Sequence, residues 1–364
     1  MEDSQRQTAS LLHWGLVSQY RSQLFGFAIL WIMCMHSREF TPIPDNPLLS
    51  QSLLYDGIIL VGGVGVDMFL FLSGIGLYYA LEKRPTLKQF YFRRFKRLLI
   101  PYCVIGTAFW VFKDLCLVWK PIRFLANLSL LSFFVKGNGL FWYIALMIPL
   151  YLAAPWFYRL SKERCRKALL AVAFFGCLAL NYFFAYCTPT FFENSEKALT
   201  RVFIFILGCY FAPVVAQDRP MSRKWGFFCL LALTCHDLLP ALARASGLMP
   251  DTIARRLWHN AAGFALCILL PVLLEVLQSD RLNQFLGFFG AISLELYLSH
   301  MAFKSAVKAL FPEFVHWSTL HCVLVYGGVL IAAVWFSVLF HQAQPKLESY
   351  LFHHIPKKKG AFLL

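Results

Sequence analysis

GVDMFLFLSGIGLYYALEKRPTLKQFYFRRFKRLLIP, residues 65–101, is an apolar span with one carboxylate inside it, emptying directly into a dense basic cluster. Asp67 lies within an apolar stretch, 57–81, that is long enough to cross a bilayer at about 20 residues per crossing. An ionisable group at that depth costs roughly 2.5–3.5 kcal/mol on insertion scales and usually has a function. Arg93, Arg94, Lys96 and Arg97 then fall at a membrane surface, just before the next apolar run. Such a cluster makes an anion site, an anchor for anionic lipid headgroups, or both.

Composition extends this reading to the whole chain. Of 364 residues, 59% are hydrophobic and only 15% charged, with a mean hydropathy of +0.59. A soluble domain carries about 25% charged residues, so the composition predicts a polytopic, all-α membrane bundle. The first residues, MEDSQRQTASLLHWG, lack a basic segment followed by a cleavage site, and no signal peptide is expected. The eleven cysteines include no CxxC pair and mostly sit in apolar runs, as Cys34, Cys177, Cys209 and Cys267 do. They read as small helix-core residues, with no metal site or disulfide framework expected. The net charge of +15 fits basic cytoplasmic loops better than nucleic-acid binding, because no basic domain interleaved with aromatics is present.

Apolar spans fall near 22–38, 57–81, 98–119, 140–160, 168–187, 199–216, 225–241, 257–278, 285–310 and 318–341, which predicts about ten helices. The stretch 124–135 is too short for a crossing. With the N-terminus inside and that stretch not crossing, 22 Lys and Arg lie in inside segments and 8 in outside ones. Letting it cross would put SKERCRK, 161–167, and every later basic loop on the other side. The positive-inside rule therefore places both termini in the cytoplasm and makes 121–139 an external, interfacial or re-entrant element. The chain reads as one membrane domain, 1–345, with a short basic tail, 346–364.

Chemistry-bearing side chains concentrate in a few spans. His36 closes the first span, with Glu39 three residues on, near enough to orient an imidazole. Imidazole is the usual base for a hydroxyl proton; an interfacial histidine that merely ends a helix is the competing reading. Arg21 lies fifteen residues before His36, about 60° round the helix and roughly 22 Å along it. It reads as a second cavity residue or as a positive-inside anchor. The arginine forks at 93–97 suit phosphate, either of an acyl coenzyme A donor or of lipid headgroups. The cluster is expected to cap a short surface helix. In the ninth span Glu295 and Ser299 share a face, with His300 adjoining; Arg201 is a candidate partner for a buried carboxylate. Lys113 and Asp114 read as a local structural pair. No HExxH, GxSxG or P-loop is present.

Taken in order, AILWIMCMHS (28–37), GVDMFLFLSGIGL (65–77), FYFRRFKRLLIPY (90–102), LFWYIALMIPLYLAAP (140–155), RVFIFILGCYF (201–211) and GAISLELYLSH (290–300) resemble the acyltransferase family 3 membrane proteins. The resemblance implies a ten-span enzyme that moves an acyl group, commonly acetyl, from cytoplasmic acyl-CoA to a hydroxyl of a cell-envelope glycan. It maps the family's first-helix histidine onto His36, its basic motif onto Arg93, Arg94 and Arg97, and its late Ser–Tyr–His stretch onto Ser293, Tyr297 and His300. The family's arginine eleven residues before the histidine is Phe25 here, with Arg21 one turn earlier.

On this reading His36, oriented by Glu39 or Asp67, is the base. Arg21, Arg93, Arg94 and Arg97 hold the acyl-CoA, while Trp142, Arg201, Ser293, Glu295, Tyr297 and His300 line the acceptor side. Ser73 or His36 is a candidate for a covalent acyl-enzyme. Acyl-CoA is a co-substrate, with no permanently bound cofactor or metal expected. The partners are the bilayer and a carbohydrate acceptor, in a bacterial cytoplasmic membrane. A glycan transporter, a different class of membrane acyltransferase that relies on His300 rather than His36, and a non-catalytic scaffold are the alternatives.

Overall fold

The computed structural model describes residues 12–39, 60–235, 238–313 and 318–352. It is 86% helical, with no strand among the described residues. The helices run α1 (Arg21–Ser37), α2 (Val64–Glu82), α3 (Leu87–Pro101), α4 (Pro121–Leu128), α5 (Leu131–Lys136), α6 (Trp142–Lys162), α7 (Arg166–Cys187) and α8 (Pro189–Leu199). They continue with α9 (Val202–Ala216), α10 (Arg223–Thr234), α11 (Leu238–Ser246), α12 (Asp251–Leu277), α13 (Asp280–Ala291), α14 (Ser293–Leu310) and α15 (Thr319–Phe352). Seven of the continuous helical segments are long and apolar enough to cross a bilayer, and counting two bent pairs as crossings gives nine. α1, at 17 residues, spans about 26 Å, a little short of a bilayer's apolar thickness.

α2 is the central helix, and small residues let its neighbours approach closely. Without side-chain bulk, Gly65 faces the Ala28 carbonyl of α1, and Gly74 meets Phe205 and Cys209 of α9. Gly208 of α9 returns the contact against Phe71. α7 lies at the rim, turning Val172, Phe175, Leu180 and Phe183 outward as a lipid-facing surface would. α1 is clasped on another side by α13. A Cβ on Gly26 would collide with the Leu286 carbonyl, and one on Gly290 with the Ser22 carbonyl. Gly26→Ala is therefore expected to cost about 1–3 kcal/mol through overpacking. It should lower the unfolding temperature of the detergent-purified protein; an unchanged temperature would contradict the close contact.

Several elements differ from the expected spans. The predicted 285–310 span is two helices, α13 and α14, bent by 66° about Ile292. The bend lies next to Gly290 of α13, which packs on Ser22 of α1. The 225–241 span is likewise two helices, α10 and α11, bent by 62°. The basic cluster does not cap a separate surface helix. α3 starts at a Thr86–Gln89 capping box and runs on through two π-helical stretches, Tyr102–Gly106 and Val111–Cys116. Pro101, which has no N–H to donate, sits where the regular pattern gives way.

The 124–135 stretch forms α4 and α5, of 8 and 6 residues, broken at Leu130 in the left-handed region. Fully buried Asp114 accepts from Arg123 at 2.7 Å and Asn127 at 2.6 Å, pinning α4 to the third span. It does not pair with Lys113, whose ammonium instead faces the Phe109 and Trp110 rings. A carboxylate that has two donors from α4 does not need its chain neighbour. α15 passes through residue 345 without a break, and residues 353–364 of the predicted tail lie outside the described residues.

Candidate active site

Two polar clusters occupy opposite ends of α1. At its first turn, Arg21 meets Arg94 and Arg97 around a cavity of about 360 Å³. Arg94 and Arg97 are three residues apart and so share one face of α3. Arg21, Arg93 and Arg94 also line an adjoining cavity of about 270 Å³, together with Lys83. The four arginines singled out from sequence thus converge on two adjacent chambers. The Arg21 guanidinium lies 5.2 Å over the Phe25 ring, leaning toward the position where the arginine would otherwise be expected. A Cβ on Gly76 would strike this guanidinium, so the glycine makes room for it. Arg21 Nε is buried with no hydrogen-bond partner among the described residues, as suits a site for an anionic ligand.

From this basic end the larger cavity follows α1 past Phe25 to Ile32, eleven residues or about 16 Å. Val66, Phe69, Ser73 and Leu77 form its α2 wall at helical spacing. Tyr143 and Tyr151 of α6 and Ser293 and Tyr297 of α14 close the other sides. One helical turn beyond Ile32 stands His36.

His36 Nδ1 lies 2.9 Å from Glu39 Oε1, the contact that the three-residue spacing predicts. Lys304 Nζ donates to the same oxygen at 2.6 Å and stands 3.1 Å from His36 Nδ1. Lys308 Nζ donates to Glu39 Oε2 at 2.7 Å. Burial opposes ionisation of Glu39, yet its bonds with His36 and the two lysines outweigh that cost. They hold its carboxyl well below the usual carboxylate range. Glu39 is therefore an anion at neutral pH, and its bridging is lost only as pH falls below that range. In the tautomer whose Nδ1–H faces Glu39, the lone pair of His36 resides on Nε2, where it is free to accept a proton. The His300 ring lies 5.6 Å from that of His36, centroid to centroid. His300 Nδ1 donates to the Leu296 carbonyl at 2.7 Å, leaving Nε2 buried and unpartnered among the described residues.

A family profile described as an acyltransferase domain matches residues 26–342. The chain belongs to the acyltransferase 3 family. It is an acyltransferase. No curated protein and no solved structure matches it. All six stretches that carried the resemblance fall within the matched residues, whereas Arg21 lies just before them.

The remaining predicted site residues of this acyltransferase fall into other groups. Asp67, 0% exposed, pairs with Arg201 at 3.2 Å, facing α9 and α12 rather than His36. Arg201 also donates to the Gly63 and Lys197 carbonyls, and His259 Nδ1 stands 3.9 Å from Asp67. One partner expected for a buried carboxylate is thus found, while Glu39, not Asp67, contacts the histidine. Trp142 has one ring face covered by the Arg201 guanidinium at 5.3 Å. Glu295 meets His341 of α15 at 3.2 Å, and Ser299 meets Ser337 at 2.8 Å. The face these two share is a packing face against α15.

Lys304 and Lys308 were missed in the sequence, although a signal was there. They follow His300 at intervals of four in an otherwise apolar helix, and a lysine so placed warrants attention. Tyr143 and Tyr151 carried no comparable signal within an aromatic-rich span.

Proposed function

We propose that this membrane acyltransferase moves an acyl group, acetyl by family frequency, from cytoplasmic acyl-CoA to a hydroxyl of a cell-surface polysaccharide or glycan-lipid precursor. The carrying observation is the cavity that leads from Arg21, Arg94 and Arg97 along α1 toward His36. Arginine forks at its mouth suit the donor's phosphates, and an apolar, tyrosine-walled passage suits its uncharged arm. The donor enters from the side where both termini lie, in a ten-span arrangement set in a bacterial cytoplasmic membrane. The excess of basic residues in those segments supports this orientation.

The chemistry needs one base. His36 Nε2 takes the proton of the acceptor hydroxyl as its oxygen attacks the thioester carbonyl. The C–O bond forms, the C–S bond breaks, and the departing thiolate takes up the proton from the imidazolium. The new ester stays with the glycan.

The test compares surface glycans of cells with and without the protein by mass spectrometry, with radiolabelled acetyl-CoA supplied to membrane vesicles. Acetyl label in the glycan or lipid-linked fraction that depends on the protein is expected. Glycans of identical mass and no protein-dependent label would contradict the proposal.

A further inference from the structure

We propose that Lys304 is a positioning residue for the base: it holds Glu39 against His36 Nδ1 and so fixes the imidazole tautomer. This inference rests on the reading of His36 as the base. Nδ1 has two neighbours of opposite charge at hydrogen-bond distance, Glu39 Oε1 at 2.9 Å and Lys304 Nζ at 3.1 Å. A bare Nδ1 would place its lone pair against a carboxylate oxygen, a repulsive contact. A protonated Nδ1 donates to that oxygen, and Lys304 is then satisfied by the same oxygen at 2.6 Å. The protonated arrangement alone avoids that repulsion while keeping Lys304 bonded to the carboxylate.

Glu39 cannot hold this geometry unaided. It follows the last turn of α1, about a third of its side chain is exposed, and an exposed ion pair contributes little order on its own. Lys304 is different, being 3% exposed and anchored in α14 one turn above His300. A desolvated ammonium bonded to a carboxylate makes a strong, well-directed contact. Lys308 takes the second carboxylate oxygen from the next turn of the same helix. Base, orienter and clamp thus form a chain from α1 to α14, with the roles a catalytic triad assigns to histidine and its carboxylate plus one further member.

The experiment follows labelled acetyl transfer from acetyl-CoA in vesicles carrying the full chain with Lys304→Met, Lys304→Arg, Glu39→Gln, the Glu39→Gln/Lys304→Met pair, or His36→Ala. Lys304→Met is expected to lower kcat about 10- to 100-fold, the worth of one charge-assisted hydrogen bond, with the acetyl-CoA KM unchanged. Lys304→Arg should restore much of that loss. The double variant should be no slower than Glu39→Gln alone, because the lysine acts through the glutamate. The double variant also removes both charges together, so it carries the test if Lys304→Met fails to accumulate. An unchanged kcat in Lys304→Met, or additive losses in the pair, would overturn the proposal. If His36→Ala keeps wild-type transfer, the base assignment itself fails. If His36→Ala is inactive and Lys304→Met is normal, only the clamp fails.

Discussion

Replacing His36 with alanine should lower acetyl transfer by about 10² to 10⁴, the usual contribution of a positioned general base. The loss should fall on kcat, because His36 stands about 22 Å along α1 from the arginines that would bind the donor. Acetyl-CoA binding by the purified variant should match wild type. The variant should be structurally mild because removal of the imidazole, 18% exposed, leaves Glu39 with both lysines. Full activity at normal expression would remove His36 from the mechanism. An inactive variant that no longer binds acetyl-CoA would mean that the histidine supports the fold.

The paired substitution Arg94→Ala with Arg97→Ala should raise the acetyl-CoA KM about 100-fold or more. Each charge-assisted hydrogen bond contributes about 1.5–3 kcal/mol, and two are lost. kcat at saturating donor should change little. Lys96→Ala supplies the control. Its ammonium pairs with Glu348 at 2.6 Å and faces the Phe92 and Phe352 rings, outside both basic cavities. Loss of Lys96 should leave KM where it was. Equal effects from all three cations would instead describe an anchor to anionic lipid.

Much of the bundle was legible because membrane helices must satisfy their backbone internally and bury apolar length, which hydropathy records directly. The bends were not legible. The α13–α14 break at Ile292 has no proline, and it lies beside α13 glycines that seat on α1, contacts more than 260 residues apart in sequence. The arginines of α3 were legible because four cations in five residues are rare beside an apolar span. Their convergence with Arg21 was not, since it depends on how α3 crosses α1. At the other end, Glu39 was readable from helical spacing, but its clamp comes from α14, 265 residues away. Asp67 drew attention by its depth, yet depth records only the cost of burial. Arg201, 2% exposed, meets that cost.

The most direct test of the proposed path, from a cytoplasmic donor at the arginine chamber to His36, is sidedness. Acetyl-CoA, which does not cross bilayers, is given to sealed vesicles of either orientation, and label in the glycan fraction is measured. Transfer should occur when the face bearing Arg94 and Arg97 is exposed to the donor and be absent in right-side-out vesicles. Equal transfer in right-side-out vesicles would contradict the account.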